Sequence, residues 1–374
     1  MKIPIHAMEP WLIANQQILY NLGQSGVTNQ TLGKLLQTLE ISPDELLPLS
    51  LEDNDTKGSP MLRQAIAEVY PTTTPENILV TTGSSEAIWL YFHIRYSPGK
   101  NVVVPVPAFQ NLITVPEYLG YEVRTFSLES QDIFRPNIEK IRRLVDENTQ
   151  AIVLNNPHNP TGVLFSNTEI DEIVAIAERV GAEILADEHY RFLPYEGNGL
   201  IPSLYGRSPA VVATGSMIKC MGCVGLRIGW LLAPSELLEA SRDLKDYTTH
   251  TLTSMNDFLA TRIINRWQTI IPGYQSWIQQ NIASFENCIQ NHSDTIQWIP
   301  PQAGVVAFPF LREGISSEHF VRKLIEREEV FLLPGDTFGF PGYFRICLGV
   351  EPNSFSQAME RLDRFIRWYN SSFA

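Results

Sequence analysis

The sequence has few cysteines, and their number and spacing argue against a disulfide-rich secreted domain and against a zinc-binding domain. Four cysteines occur in 374 residues, too few and too scattered for the disulfide framework of a secreted protein. Cys220 and Cys223 form a C-x-x-C pair. No second pair and no nearby histidine completes a zinc site around them, so we expect neither a metal nor a redox role.

Long apolar runs and positive charge are also lacking. No apolar run approaches the ~20 residues of a membrane span, and the N-terminal segment MKIPIHAMEP has no signal-peptide core. A cytoplasmic location without a membrane partner is therefore expected. Asp and Glu together number 41 against 28 Lys and Arg, which gives a net charge of -13. A chain this acidic is not expected to bind nucleic acid.

The chain does contain the apolar content of a well-packed globular protein, with 44% hydrophobic and 18% charged residues. From residue 77 onward, short apolar runs alternate with helical segments. The runs are ILVTTG, NVVVPV, EVRTFSL, AIVLNN, EILADE and VVATGS. This alternation predicts an α/β fold with a mainly parallel sheet flanked by helices.

Both ends of the chain are predicted to lie outside this sheet. The N-terminal end is expected to form an irregular arm and one helix, with Thr31 through Leu39 at helical spacing. Beyond Pro234 the pattern is mostly helical, and the segments 297–310 and 330–348 are predicted as strands of a second, smaller sheet closed by a C-terminal helix. The predicted units are an arm at 1–45, a large domain at 46–260 and a small α+β domain at 261–374.

Lys219 occupies surroundings that are unusual for a surface lysine. It follows the apolar run at 211–214 and precedes a second apolar run at 226–232, so it should lie near the interior. The lysines that form Schiff bases with carbonyl compounds are usually desolvated and have a lowered pKa. Ser216 and Arg227 offer a hydroxyl and a cation for a phosphate. These residues suggest pyridoxal 5'-phosphate (PLP), and the alternative is a buried lysine paired with an acid elsewhere.

Polar or aromatic residues follow four of the other predicted strands. Ligands of open α/β sheets bind at the carboxyl ends of the strands, so these residues are candidates for a binding site. They are Ser84 and Ser85, Phe109, Asn159, and Asp187 with Tyr190. The serines could bind phosphate at a helix start, the ring could stack on a heterocycle, and the aspartate could pair with a protonated pyridine nitrogen. Taken singly, each has an ordinary structural alternative. The serines could simply start a helix, Phe109 could be a core aromatic, Asn159 could lie in a plain turn, and Asp187 could cap the next turn.

In order and rough spacing, these motifs resemble those of the class I/II aminotransferase family of fold type I PLP enzymes. The matching stretches are Pro157 to Gly162, Asp187 with Tyr190, Ser216-x-x-Lys219, Arg227 and Phe344-Arg345. The resemblance implies that Lys219 binds the aldehyde covalently, Asp187 pairs with the pyridine nitrogen, and Asn159 and Tyr190 contact the ring hydroxyl. It further implies that Phe109 stacks on the ring and that Arg345 clamps the substrate α-carboxylate. Ser84, Ser85, Ser216 and Arg227 would hold the phosphate, and the protein would be a homodimer whose active sites the partner chain completes.

Two stretches depart from the ordinary family pattern. The usual G-x-P-D-F loop is replaced by Gly23-Gln24-Ser25-Gly26-Val27, and Asp53 takes the place of a tyrosine that usually reaches the partner's phosphate. An acid is a poor phosphate contact but a good contact for a cation on the substrate. Glu9 could be a second contact for that cation. Each could equally be a solvated surface acid. We predict substrate contacts from Arg345, Glu9, Asp53 and Gly26.

With the segments Glu9–Leu12, 25–27, 83–87 and 303–309, these departures look like the cyclodehydratases that form capreomycidine- and enduracididine-type rings. The resemblance implies a PLP enzyme that removes the hydroxyl of a hydroxylated L-arginine and closes its guanidine into a ring. An aminotransferase using a 2-oxo acid acceptor is the alternative, because its cofactor residues would be the same. A ligand-sensing domain of a transcription regulator is disfavoured, since only about 45 residues precede the large domain and no basic cluster occurs among them.

Overall fold

The N-terminal arm contains two helices and a short strand in the computed structural model, which describes residues 3–197 and 199–373. Helix α1 spans Glu9–Ala14, strand β1 Tyr20–Asn21 and helix α2 Leu32–Leu39. The Thr31 side chain accepts a hydrogen bond from Lys34 N and caps α2. Helix α3 follows at Pro60–Glu68, with proline in its first turn, where a missing N–H costs nothing.

Seven strands form the central sheet, and their order is β2-β8-β7-β6-β5-β3-β4. Their bounds are Ile78–Thr81 (β2), Asn101–Val106 (β3), Glu122–Ser127 (β4), Thr149–Asn155 (β5), Glu183–Asp187 (β6), Val211–Gly215 (β7) and Gly229–Leu232 (β8). Strand β8 is antiparallel to both β2 and β7, whereas the neighbours from β7 to β4 pair in parallel. Six strands therefore share one direction, which confirms the mainly parallel sheet.

Helices cover both faces of this sheet. They are α4 (Ser84–Arg95), α5 (Asn111–Leu119), α6 (Ile138–Leu144), α7 (Asn167–Val180) and α8 (Ser235–Lys245). Val102 and Val104 of β3 belong to the core under α4, α5 and α8, whereas Val103 belongs to the core under α6 and α7. This alternation follows from the two-residue period of a strand. It leaves the sheet buried on both sides, as is typical of parallel sheets.

The C-terminal third is built from helices and very short strands. Its elements are α9 (Ser254–Asn265), α10 (Trp267–Gln290), β9 (Ile296–Gln297), β10 (Val306–Ala307), β11 (Phe310–Leu311), α11 (Ser317–Glu328), β12 (Val330–Phe331), β13 (Leu333–Pro334), β14 (Phe344–Cys347) and α12 (Pro352–Phe373). The domain boundary that we propose after residue 260 falls within α9. Within residues 3–197 and 199–373, no helix has the length and apolarity needed to span a membrane.

The prediction of one smaller sheet in this region was wrong. The strands form three separate small sheets, β10-β14-β13, β9-β11 and β1-β12. Most of these strands have two residues, and Pro309 separates β10 from β11, where it supplies no N–H to a ladder. Strand β12 pairs with β1 of the arm, with Tyr20 opposite Val330. The arm is thereby joined to the C-terminal region.

Candidate active site

A cavity of about 210 Å³ lies at the carboxyl ends of the parallel strands. Ten of the thirteen predicted site residues line it: Glu9, Ser84, Ser85, Phe109, Asn159, Asp187, Ser216, Lys219, Arg227 and Arg345. These residues come from the arm, from the end of β6, from four segments that follow β2, β3, β5 and β7, and from β14. The parallel topology brings most of them together, because strands that share a direction end at the same edge.

Lys219 follows β7 and presents its amine to the cavity. Its Nζ donates a hydrogen bond to Ser25 Oγ at 3.1 Å. Burial, together with the nearby cations Arg345 and Arg227, lowers the pKa of this amine to about 8. A lowered pKa increases the fraction of free amine near neutral pH, and only the free amine is a nucleophile.

Asp187 ends β6 and is buried, with its side chain held by three donors. Thr214 Oγ1 donates to Oδ1 at 3.1 Å, and Asn155 Nδ2 lies 3.2 Å from Oδ2. His189 Nδ1 lies 3.0 Å from the same Oδ2. A carboxylate has about four lone-pair sites, so acceptor capacity remains for a protonated ring nitrogen. The neighbours fix the direction of the carboxylate.

The start of α4 has the features of an anion site. Gly83 precedes the helix, and no side chain among the described residues caps its first N–H groups, so they are available to an anion. A Cβ on Gly83 would lie 2.8 Å from Arg227 Nη2, so the guanidinium lies against this helix start. Ser216 lies three residues before Lys219, and its hydroxyl donates a hydrogen bond to Ile228 O at 2.6 Å. The cation and the uncapped N–H groups together suit a phosphate.

Arg345 is buried beside the cavity with neutral partners. Its Nη2 donates to Gly23 O at 2.8 Å and its Nη1 to Asn159 Oδ1 at 3.3 Å. Its Nε has no hydrogen-bond partner among the described residues. Burial lowers the pKa of the guanidinium. A buried cation with a donor to spare calls for an anion, and a carboxylate has the matching geometry.

Three predicted residues do not line the cavity. The hydroxyl of Tyr190 donates to Ser25 O at 2.7 Å, so its contact with a ring hydroxyl stays a prediction. Gly26 packs behind Lys219, and a Cβ on it would lie 3.1 Å from Lys219 Cδ. Asp53 is exposed and lies away from the cavity of its own chain, where it accepts a hydrogen bond from Thr251 Oγ1 at 3.4 Å.

The cavity also contains residues that the sequence reasoning missed, among them His6, Ser25 and His189. The ring of His6 lies 5.9 Å from that of Phe109, centroid to centroid. His189 could have been found, because it lies between two predicted residues at the end of β6. His6 and Ser25 come from the arm, and no local pattern shows that the arm folds over the end of a distant sheet.

The residues of the cavity match three groups of PLP. Lys219 suits the aldehyde, Asp187 the pyridine nitrogen, and Arg227 with the uncapped start of α4 the phosphate. This sheet and site are those of a fold type I PLP-dependent enzyme. A model of the family "Aminotransferase class I and II" matches residues 52–362. The chain therefore belongs to the class I and II aminotransferase family, and the predicted fold class and cofactor are confirmed.

The relatives include both ring-forming and amino-transferring enzymes. Capreomycidine synthase of Streptomyces vinaceus is 27% identical over 349 residues, which cover 92% of this chain and 89% of that protein. Aspartate aminotransferase of Bacillus sp. (strain YM-2) is 24% identical over 331 residues, which cover 83% of this chain and 82% of that protein.

Two solved structures are similar over almost the whole chain. A PLP-dependent aminotransferase from Streptococcus suis 89-1591 has a TM-score of 0.93 and 28% identity, with 99% of each chain covered. The PLP-dependent cyclase OrfR has a TM-score of 0.91 and 27% identity, with 98% of each chain covered. The chain is thus a PLP-dependent enzyme of the aminotransferase family that has cyclases among its relatives.

Proposed function

We propose that this protein is a PLP-dependent cyclodehydratase that converts a hydroxylated L-arginine into a cyclic guanidino amino acid of the enduracididine or capreomycidine type. The observation that carries the proposal is the similarity to capreomycidine synthase over 92% of the chain. The similarity to the cyclase OrfR over 98% of the chain supports it. The substrate is then a small amino acid, and we keep the cytoplasmic location as a prediction.

The cofactor contacts that we propose follow the chemistry of the cavity. Lys219 binds the aldehyde, Asp187 pairs with the pyridine nitrogen, and Phe109 stacks on the ring. The proposed phosphate contacts are Ser84, Ser85 and Arg227, joined by Ser216 once its hydroxyl turns away from Ile228 O. The proposed contacts to the ring hydroxyl are Asn159 and Tyr190, whose oxygen can still accept a hydrogen bond while its proton goes to Ser25 O. Bound in this way, PLP stabilises negative charge that develops at the substrate Cα.

The substrate contacts divide by charge. Arg345 binds the α-carboxylate, which is supported by its neutral partners and its unpaired Nε. Glu9 at the rim of the cavity binds the guanidinium at the other end of the substrate. Asp53 of the partner subunit is proposed as a second carboxylate at that end. Gly26 leaves room beside Lys219, because any side chain there would press on the lysine stem.

The chain's own residues move the protons. The free amine of Lys219 removes the proton from Cα, and the departing hydroxyl takes up a proton and leaves as water. The guanidine nitrogen then forms a bond to the unsaturated side-chain carbon and releases a proton, which Lys219 takes up and returns to Cα. The sum is the loss of one water and the formation of one carbon–nitrogen bond, with no net oxidation and no second substrate.

The first prediction concerns the second substrate. Incubated with a hydroxylated L-arginine and no keto acid, the protein should form a product one water lighter, detected by mass spectrometry. Addition of 2-oxoglutarate should leave the rate unchanged within about twofold, because a dehydration needs no amino acceptor. The similarity to the S. suis aminotransferase supports the alternative. A strict requirement for the keto acid would establish that alternative and refute ours.

We further propose that the protein is a homodimer that uses an exposed apolar face beside Asp53. Leu51 is 99% and Tyr247 is 89% exposed. The segments that carry them are joined, since Lys245 Nζ donates to Thr56 O at 2.8 Å and Thr251 Oγ1 donates to Asp53. Exposed large apolar side chains on adjoining segments are typical of a protein–protein association surface. Leu47, Met61 and Met255 are also exposed.

The second prediction tests this face. The double substitution Leu51→Glu and Tyr247→Glu should convert the dimer to a monomer at micromolar concentration, because four buried carboxylates would face each other across a twofold interface. Light scattering after size-exclusion chromatography gives the mass. The matched control is Ile133→Glu, an apolar side chain 58% exposed on another segment, which should leave the mass unchanged. A double variant that stays dimeric would exclude this face.

A further inference from the structure

The amine of Lys219 has a hydroxyl group within hydrogen-bond distance, at Ser25 Oγ, 3.1 Å away. Ser25 also lines the cavity. It lies in the loop at residues 23–27 that replaces the usual sequence of the family. A serine hydroxyl can donate and accept a hydrogen bond at the same time, so it can pass a proton between two neighbours.

The loop that carries Ser25 is held by the active site itself. Tyr190 Oη donates to Ser25 O at 2.7 Å, and Arg345 Nη2 donates to Gly23 O at 2.8 Å. Val27 N donates to Lys219 O at 2.9 Å. Three site residues therefore fix this backbone on both sides of Ser25. The hydroxyl has a defined position relative to the lysine amine, which a proton relay requires.

Dehydration and transamination differ in where protons must go. Transamination moves one proton from Cα to the cofactor, and a single lysine can do this alone. Dehydration must also deliver a proton to an oxygen on the side chain while the C–O bond breaks. A second proton carrier beside the lysine is useful only to the dehydration.

We propose that Ser25 relays a proton from Lys219 to the departing hydroxyl of the substrate. The inference rests on the cyclodehydratase function proposed above. The Cα proton moves to Lys219 Nζ, which becomes an ammonium group. One ammonium proton passes to Ser25 Oγ while the serine's own proton passes to the leaving oxygen. For a hydroxyl on Cβ, the C–O bond breaks with its electron pair on that oxygen, water departs, and the electron pair of the Cα–H bond becomes the Cα–Cβ double bond.

The third prediction separates the two proton transfers in a Ser25→Ala variant. L-Arginine has no hydroxyl to lose, so the exchange of its Cα proton for deuterium in D2O reports the lysine alone. Exchange, followed by proton NMR, should stay within about threefold, whereas ring formation from a hydroxylated L-arginine should fall about 10²-fold, the effect of one general acid. Ser25→Thr keeps the hydroxyl and should retain ring formation within about tenfold.

A spectroscopic measurement on the holoenzyme adds a readout that is independent of turnover. The visible absorbance of the lysine-bound cofactor changes with pH as its nitrogen titrates. Ser25 Oγ accepts a hydrogen bond from the free amine of Lys219. The same contact to the cofactor-bound nitrogen would favour its protonated form, so the midpoint should fall by about one pH unit in Ser25→Ala and stay in place in Ser25→Thr.

The possible outcomes separate the two proposals. Equal losses of exchange and ring formation in Ser25→Ala, or ring formation at the wild-type rate, would overturn the relay and leave the function standing. A wild-type protein that exchanges the Cα proton of L-arginine but forms no ring would overturn the proposed function itself. Loss of ring formation with retained exchange and a shifted midpoint supports the relay.

Discussion

Replacing Lys219 by alanine should abolish the visible absorbance of protein-bound cofactor and lower ring formation at least about 10⁴-fold, because both the covalent attachment and the base at Cα are lost. The absorbance spectrum of the purified variant after addition of PLP measures the first effect, and product formation measures the second. The circular dichroism spectrum should be unchanged, since the side chain lines a cavity and supports no strand.

Lys245 provides a matched control for this substitution. It is also a buried lysine whose pKa is lowered by burial, but its amine donates to Thr56 O and His250 O outside the cavity. Lys245→Met should keep the absorbance of the bound cofactor while lowering stability by about 1–3 kcal/mol, because two carbonyl groups lose their donor. If Lys219→Ala kept the absorbance band, the assignment of the attachment site would be wrong.

The second large effect is expected for Asp187→Asn, which keeps the shape of the side chain and removes its charge. The variant should still bind PLP through Lys219, but ring formation should fall about 10²–10³-fold. An amide cannot hold the ring nitrogen protonated, and its NH2 group would also face the donors Thr214 and His189. Steady-state kinetics measure the loss, and the absorbance spectrum shows that the cofactor remains bound.

The neighbouring acid Glu188 controls for the replacement of a buried carboxyl group by an amide. It is buried next to Asp187 in sequence, and burial raises its pKa to about 7. Its oxygens accept hydrogen bonds from Ser203 Oγ and Leu204 N instead of facing the cavity. Glu188→Gln should therefore keep ring formation within about threefold. Asp187→Asn with wild-type kinetics would contradict the role that we assign to Asp187.

The sequence allowed the wall of the cavity at the strand ends to be predicted, and the reason is geometric. Each buried strand shows its end as a change from apolar to polar residues, and parallel strands end at one edge. Phe109, Asn159, Asp187 and Lys219 were found in this way. Once the sheet was predicted to be mainly parallel, their meeting in one place followed from the topology.

The arm and the small sheets could not be predicted, because their structure depends on contacts between distant segments. Strand β1 pairs with β12, more than 300 residues away, with Asn21 opposite Phe331. The same folding brings Ser25 to Lys219 and His6 to Phe109. Two-residue strands have no periodicity of their own, so residue spacing contained no signal for the three separate sheets.

The cofactor residues also do not distinguish the two reactions, since both need the same lysine, aspartate and phosphate site. The residues that we propose to distinguish them are Glu9 and Ser25 in the arm and the exposed Asp53. The carboxylates would select a substrate that carries a guanidinium. The hydroxyl near the lysine would serve dehydration rather than transfer of the amino group.

The most direct test of the proposed function is to follow the α-nitrogen of the substrate. The protein would be incubated with hydroxylated L-arginine carrying ¹⁵N at the α-amino group, in the presence of 2-oxoglutarate, and the products analysed by mass spectrometry. Dehydration and ring closure leave that nitrogen in place, so we predict that the label stays in a cyclic product one water lighter than the substrate. Label recovered in glutamate, together with an unlabelled 2-oxo acid derived from the substrate, would contradict the account.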